Sequence, residues 1–153
     1  MLGFIALHGI RCAGLTFGCR VAVMGLGLLG LLTLQMLRAY GCEVIGFDPD
    51  SEKIRFAKQL GFENVVNQVG ELSALVETHT RSSGVDAVLI TASTKKRDPV
   101  DHAIQLCRFR GKIVVVGVAD IHPDRNELWQ KEVELVVSRA AAVSYTHLRA
   151  HET

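Results

Sequence analysis

The sequence predicts an α/β fold in which helices cover both faces of a doubly wound parallel sheet. Short apolar runs rich in Val and Ile alternate along the chain with helix-forming segments, a pattern typical of parallel sheets. The runs are uninterrupted, as expected of strands that are buried on both sides. At 153 residues, with 48% hydrophobic and 22% charged residues, the chain suits one globular domain.

Each element is predicted from its own pattern. Strands are predicted at the short apolar runs, which span residues 20–24, 43–47, 63–67, 85–90, 112–116 and 133–137. Helices are predicted where helix-forming residues dominate, in two cases with a following glycine, Gly41 or Gly61, as the stop signal. The predicted helices span residues 4–13, 28–40, 51–60, 72–80 and 99–108.

Composition disfavours several kinds of partner. Lys plus Arg number 17 and Asp plus Glu 16, so the net charge of +1 gives no reason to expect nucleic acid or an acidic membrane. The longest apolar stretch, residues 21–34, is too short to span a membrane, and the N-terminus lacks the basic region of a signal peptide. A cytoplasmic protein is therefore expected. The four cysteines show no metal-type spacing and are interpreted as small, buried apolar residues: Cys12, Cys19, Cys42 and Cys107.

The C-terminal segment, residues 140–153, does not continue the pattern. Its last eleven residues, VSYTHLRAHET, resemble a translated sequencing adapter, so this tail is interpreted as non-native and left out of the fold prediction. His147 and His151 lie four residues apart beside Glu152, a spacing that could suggest zinc. Because they fall in this tail, no metal site is predicted there.

Three glycines carry the main functional signal. Gly25, Gly27 and Gly30 form G-x-G-x-x-G directly after a predicted strand and at the start of a predicted helix. The first glycine would permit a tight turn, the second would let the backbone approach a pyrophosphate, and the third would let helix and strand pack closely. Unpaired N–H groups at a helix N-terminus bind a diphosphate without Lys or Arg, so this pattern predicts dinucleotide binding.

An acidic residue ends the second predicted strand. Asp48 lies eighteen residues after Gly30, near the spacing of about 20 at which a carboxylate accepts hydrogen bonds from the adenosine ribose. Such a carboxylate would repel a 2′-phosphate, so NAD is favoured over NADP. Two structural alternatives stay open. The glycines could serve a turn and helix packing alone, and Asp48 could cap the next helix with Pro49 as its first residue.

Residues 5–139 resemble the nucleotide-binding domain of the medium-chain dehydrogenases/reductases, the alcohol and polyol dehydrogenase superfamily. The phrases that carry this resemblance are VAVMGLGLLG, VIGFDPDSEKIRFAKQLGFENVVN, GVDAVLITAS and GKIVVVGV. More loosely, the stretch from residue 90 to 117 resembles a bacterial branch that acts on sugars or polyols. The resemblance implies hydride transfer between an alcohol and NAD in an intact parent enzyme.

The resemblance also implies roles for individual residues. The pyrophosphate would be held by Gly25, Gly27, Leu28, Leu29 and Gly30, and the adenosine ribose by Asp48 with Lys53 beside it. Thr91 and Ala92 would lie along the cofactor, and Val116, Gly117 and Val118 would line the nicotinamide. Lys53 could equally be a solvated helix cation. A solvated loop is the expectation for Lys95, Lys96 and Arg97.

The resemblance implies a second, catalytic domain whose patterns this sequence lacks. No catalytic residue is therefore predicted, and zinc is expected only in that missing domain. Residues 1–15 are interpreted as a helix entering from it, and residues 16–139 as the dinucleotide-binding domain. The fragment is expected to be inactive alone and to dimerise through the edge strand near residues 133–137.

Two alternative functions are a nucleotide-sensing module without catalysis and an inert packing scaffold. A sensing module would be expected to begin at its first strand, without the helix at residues 4–13.

Overall fold

The computed structural model describes residues 1–96 and 98–139. Within these residues, helices and strands alternate throughout, which confirms the predicted α/β class. The helices are α1 (Leu2–Cys12), α2 (Leu28–Ala39), α3 (Ser51–Gln59), α4 (Val69–Thr80), α5 (Asp98–Leu106) and α6 (Arg125–Lys131). The strands are β1 (Arg20–Met24), β2 (Glu43–Phe47), β3 (Val65–Val66), β4 (Val85–Ile90), β5 (Cys107–Val115) and β6 (Glu134–Val137).

The strands form one parallel sheet in the order β3-β2-β1-β4-β5-β6. The chain therefore runs outward from β1 to one edge and restarts at β4, next to β1, toward the other edge. This doubly wound arrangement creates a switch point between β1 and β4, where ligands bind in folds of this kind. It also places β6 at an edge, as the sequence predicts for residues 133–137.

Helices cover both faces of the sheet because its central strands are apolar on both sides. On one face, Ile10 of α1, Leu34 of α2 and Ile54 of α3 pack against inward side chains of β1 and β4. On the other face, Leu72 of α4 and Ile104 of α5 pack against the opposite set. Both layers therefore depend on the apolar side chains of these strands, since each CH₂ group removed from water stabilises the fold by about 0.8 kcal/mol.

The boundary between α5 and β5 differs from the prediction. The helix ends at Leu106 and the strand begins at Cys107, whereas the sequence predicts a helix to residue 108 and a strand from residue 112. The Lys131 ammonium donates to the carbonyls of Ile104, Gln105 and Cys107, which caps the end of α5. Cys107 is buried in the core as expected, but on a strand rather than on the predicted helix.

Helix α6 was not predicted. Asp124 caps it by accepting hydrogen bonds from the N–H groups of Asn126 and Glu127. The spacing of Asp124 and Glu127 is that of a capping box, and this signal could have identified the helix. Smaller differences are an earlier start of α1 and α4, at Leu2 and Val69, and a shorter β3. None of the helices in residues 1–96 and 98–139 is long and apolar enough to cross a membrane.

Candidate functional site

The loop after β1 is held in a conformation that only glycine suits at its first position. Gly25 has φ +103°, and a Cβ there would lie 2.5 Å from the main-chain nitrogen of Ala92. Its N–H donates to the carbonyl of Phe47 at 2.8 Å, and its carbonyl accepts a hydrogen bond from the Thr91 hydroxyl at 2.5 Å. The loop is therefore fixed by β2 on one side and by the segment after β4 on the other.

The other two glycines of the motif differ in what surrounds them. A Cβ on Gly30 would lie 1.8 Å from the carbonyl oxygen of Gly25, so the first turn of α2 packs directly on the loop. A Cβ on Gly27, the N-cap of α2, would meet no protein atom within 4 Å. Packing thus explains the absence of a side chain at Gly30 but not at Gly27, where the space beside the backbone is open.

Asp48 is buried and anchored to the main chain. Only 5% of the residue is exposed, its Oδ2 accepts a hydrogen bond from the Leu26 N–H at 2.8 Å, and its Oδ1 accepts one from the Asp50 N–H at 2.8 Å. The cap of α3 is Asp50, whose side chain accepts from the Glu52 N–H. The alternative that Asp48 caps this helix is therefore wrong, and its carboxylate instead joins the end of β2 to the glycine loop.

A cleft of about 330 Å³ opens between the N-terminal turn of α2 and helix α3. Lys53 lies there with its Nζ 3.8 Å from Asp48 Oδ2, and its side chain is about half exposed. The exposed apolar side chains of Leu28 and Phe56 also line the cleft. Phe56 was not predicted as a site residue, although its position three residues after Lys53 places both on one face of α3.

The residues after β4 and β5 that were predicted to lie along the cofactor contact the glycine loop or each other. Thr91 is buried, and its hydroxyl is used in the hydrogen bond to Gly25. A Cβ on Gly117 would lie 2.1 Å from the carbonyl oxygen of Ala92, so the segments after β4 and β5 are in direct contact. The Thr91 hydroxyl and the Ala92 backbone thus hold the loop in position, and Gly117 packs against Ala92.

Val116 and Val118 follow the end of β5 and differ in exposure. Val116 packs beneath α1, where a Cβ on Gly9 would approach its Cγ2 to 2.7 Å, whereas Val118 is 75% exposed. The Thr94 N–H donates to the carbonyl of Val118 at 2.7 Å, which joins this segment to the one after β4. The structure therefore brings the predicted site residues to the carboxyl ends of four adjacent strands: β2, β1, β4 and β5.

The remaining sequence candidates lie apart from this arrangement. Lys95 and Lys96 are exposed, as expected of a solvated loop, and Arg97 lies outside the described residues, as do His147 and His151. Of the cysteines, Cys42 and Cys107 are buried, but Cys12 and Cys19 are only half-buried, so the prediction that all four are buried is wrong for these two. In residues 1–96 and 98–139, no group of three or more His, Cys, Asp or Glu side chains could hold a metal ion.

Comparisons with known proteins find the same fold. A protein of Sinorhizobium meliloti, described as a zinc-binding dehydrogenase and crystallised with NADP, superimposes with a TM-score of 0.76 at 26% identity, over 90% of this chain and 42% of that one. Galactitol-1-phosphate dehydrogenase from Escherichia coli shares the fold, with a TM-score of 0.76 at 23% identity over 91% of this chain and 42% of that one.

A curated relative, the 2-dehydro-3-deoxy-L-galactonate 5-dehydrogenase of Pseudoalteromonas atlantica, is 28% identical over 137 residues. That match covers 88% of this chain and 40% of the relative, so the chain spans about two-fifths of the relative's length. The zinc-binding dehydrogenase family matches residues 29–149, which is most of the chain. On this match the chain belongs to the zinc-binding dehydrogenase family.

Proposed function

We propose that this chain is the dinucleotide-binding part of a dehydrogenase that transfers hydride between NAD and an alcohol of the sugar or polyol type. The observation that carries the proposal is the open space beside Gly27, at the start of a helix and next to the anchored carboxylate of Asp48. Membership of a dehydrogenase family favours this function over a sensing module. An inert scaffold would give no reason for an open glycine at that position.

The pyrophosphate would lie against the first turn of α2. The N–H groups of Leu28, Leu29 and Gly30 belong to the first turn, whose donors have no partner within the helix. The Leu31 N–H donates to the carbonyl of Gly27. These N–H groups and the helix dipole would stabilise the two phosphates by hydrogen bonds and charge. Gly25 and Gly27 would allow the close approach, since neither places a side chain over the amides.

Asp48 would hold the adenosine ribose. Each of its oxygens already accepts one main-chain hydrogen bond, and a carboxylate oxygen has room for a second. A 2′-phosphate would add negative charge beside this buried carboxylate, which supports NAD as the preferred cofactor. Lys53, 3.8 Å from Asp48, would lie near the ribose hydroxyls, and the apolar lining of the cleft would contact the adenine.

The nicotinamide would lie beyond Thr91 and Ala92, against the segment from Val116 through Gly117 to Val118. When bound, the nicotinamide ring accepts or donates the hydride, and this segment would only orient it. The family's zinc has no ligand set in residues 1–96 and 98–139, so we assign it to the catalytic domain of a longer parent protein. The same domain would bind the substrate, whose class is inferred from the sugar-acid substrate named for the curated relative.

We also propose a homodimer formed through β6. Among the described strands, β6 pairs only with β5, which leaves its other edge without a partner strand in this part of the chain. Val137 on this strand is 62% exposed, and an unpaired apolar edge favours strand pairing with a second copy. Sedimentation equilibrium should show a dimer that Val137→Lys weakens, and a monomer at all concentrations would contradict the assignment.

Calorimetric titration with NAD+ and NADP+ tests the cofactor assignment. The chain should bind NAD+ more tightly than NADP+. Asp48→Asn should reduce or reverse this difference in affinity, because it removes the negative charge that would repel the 2′-phosphate of NADP+. Asp124→Asn makes the same chemical change at the cap of α6, where Asn is an equally good cap, and should leave both affinities unchanged. Absence of NAD+ binding by a folded chain would overturn the proposal.

A further inference from the structure

Two cysteines lie side by side at the amino ends of β1 and β2. The Gly18 N–H donates to the Gly41 carbonyl at 2.9 Å, and the Glu43 N–H donates to the Cys19 carbonyl at 2.9 Å. The ladder pairs Arg20 with Glu43, so Cys19 and Cys42, which precede them, lie next to each other. Neighbouring strands lie about 4.7–4.9 Å apart, which falls within the Cα separation of about 4.4–6.8 Å that a disulfide requires.

The two side chains also leave the sheet on the same side. In the next pair of the ladder, Arg20 and Glu43 meet in an ion pair at 3.1 Å, whereas Cys19 and Cys42 both pack in the hydrophobic cluster on the face covered by α1, α2 and α3. There both sulfurs lie near Thr16. The Cys19 sulfur is 3.5 Å from the Thr16 nitrogen and hydroxyl, and the Cys42 sulfur is 3.9 Å from the Thr16 carbonyl oxygen.

The other two cysteines are placed differently. Cys107 packs in the core on the opposite face of the sheet, among the side chains of α4 and α5. Cys12 lies on the same face as the pair, but its sulfur contacts His8 Nε2 at 3.5 Å, one helical turn back on α1. Register and orientation therefore single out one pair of thiols, both of which are free in the structure.

We propose that Cys19 and Cys42 form a reversible disulfide by exchange with a small-molecule disulfide of the oxidised glutathione type. This site is independent of the dinucleotide proposal, because it lies at the opposite ends of β1 and β2 from Gly25 and Asp48.

The exchange takes place in two steps. The Cys19 thiolate attacks one sulfur of oxidised glutathione, forms a mixed disulfide and releases one glutathione thiolate. The Cys42 thiolate then attacks the Cys19 sulfur, forms the internal S–S bond and releases the second glutathione thiolate. Two protein thiols are oxidised, one glutathione disulfide is reduced to two thiols, and the two protein protons pass to these products or to solvent.

Exposure determines which cysteine reacts first. Cys19 is half-buried and follows an exposed turn in which Phe17 is 86% exposed, so a small disulfide can reach its sulfur. Cys42 is buried, and this burial, together with the nearby Cys19 and Asp86, raises the pKa of its thiol. Cys42 is therefore suited to the second, internal step rather than to attack on a dissolved oxidant.

The test is chemical mapping of the whole chain. After incubation with oxidised glutathione, free thiols are blocked with N-ethylmaleimide, and the digest is searched by mass spectrometry for a peptide that joins Cys19 to Cys42. We expect that peptide, together with a rise in Tm of about 5–10 °C that dithiothreitol reverses, because the link constrains the unfolded chain.

Single substitutions supply the controls. Cys19→Ser and Cys42→Ser should each abolish both the linked peptide and the rise in Tm, whereas Cys12→Ser should preserve both. Circular dichroism shows whether each variant folds, and if one does not, the mapping of the unsubstituted chain decides alone. A folded chain that carries only glutathione on Cys19, or one that links Cys12 to either residue, would overturn the proposal.

Discussion

Gly27 and Gly30 should respond in opposite ways to the same change. Alanine at Gly27 meets no protein atom, and the local backbone, with φ −69° and ψ −167°, is open to any residue. Alanine is a poorer N-cap than glycine by about 0.5–1 kcal/mol, but it lowers the entropy of the unfolded chain by a similar amount. Gly27→Ala should therefore leave the free energy of unfolding nearly unchanged, within about 0.5 kcal/mol.

Alanine at Gly30 would place its Cβ 1.8 Å from the Gly25 carbonyl oxygen and 2.9 Å from the Thr91 hydroxyl. Because the closer atom belongs to the backbone, relief requires α2 or the loop to move, at a cost of about 3 kcal/mol or more. The gain of about 1 kcal/mol for alanine over glycine within a helix offsets part of this cost. Gly30→Ala should therefore destabilise the protein by about 2 kcal/mol or more.

Urea denaturation and calorimetric titration with NAD+ separate the two effects. Gly27→Ala should keep its stability and lose at least about tenfold in NAD+ affinity, equivalent to about 1.4 kcal/mol, because its methyl group occupies the space proposed for the pyrophosphate. Normal NAD+ affinity in Gly27→Ala would refute that placement. A large loss of stability in Gly27→Ala, or none in Gly30→Ala, would contradict the packing of the loop.

Three further changes follow from single contacts. Lys53→Met should lower NAD+ affinity about fivefold but change stability by less than about 1 kcal/mol, because its ion pair with Asp48 is long and half-exposed. Lys131→Met should cost about 1–3 kcal/mol in urea denaturation, since three carbonyls at the end of α5 lose their donor. Burial raises the pKa of the Cys107 thiol to about 12, whereas the thiol of the unfolded chain has a pKa of about 9. Above pH 9 the unfolded chain therefore loses this proton while the folded chain keeps it. The free energy of unfolding should be lower by about 2 kcal/mol at pH 10.5 than below pH 9.

Matched variants make these outcomes specific. Lys58→Met removes an exposed lysine of α3 and should change neither NAD+ affinity nor stability appreciably. If Lys53→Met changed NAD+ affinity no more than Lys58→Met does, Lys53 would have no role at the site. Cys107→Ala should have a stability that depends less on pH between pH 9 and 12 than that of the parent chain. An unchanged dependence in Cys107→Ala would show that other groups cause the alkaline loss.

The order of elements could be predicted because the signals that define them are local. The nearly continuous apolar runs of β1 and β4, in which Arg20 and Asp86 are the charged residues, identify central strands, since such strands are buried on both faces. The end of α5 could not be predicted in this way, because Lys131, its capping donor, lies more than twenty residues further along the chain. Helix α6 buries no residue completely, so it lacks the apolar face from which helices are usually identified.

The candidate site could be predicted as a set of positions but not as a set of contacts. The spacing of Gly27, Gly30 and Asp48 indicates the motif, yet it cannot tell a glycine required by packing from one that leaves space open. Nor does it show that both oxygens of Asp48 are hydrogen-bonded to the main chain. Phe56 was not predicted because the apolar pattern of α3 identifies only its buried face, whereas the cleft lies on another face.

These contacts explain how a glycine loop without side chains could be a rigid surface for the proposed dinucleotide. Gly25 is held by the Phe47 carbonyl and the Thr91 hydroxyl, and the Leu26 N–H by Asp48, so contacts within the protein define the conformation of the loop. Binding to an ordered loop does not carry the entropic cost of ordering it, so hydrogen bonds to a phosphate contribute more of their free energy to the affinity. The anchoring contacts therefore matter to binding even where they touch no ligand, and Thr91→Val should weaken NAD+ binding although its hydroxyl is already used by the protein.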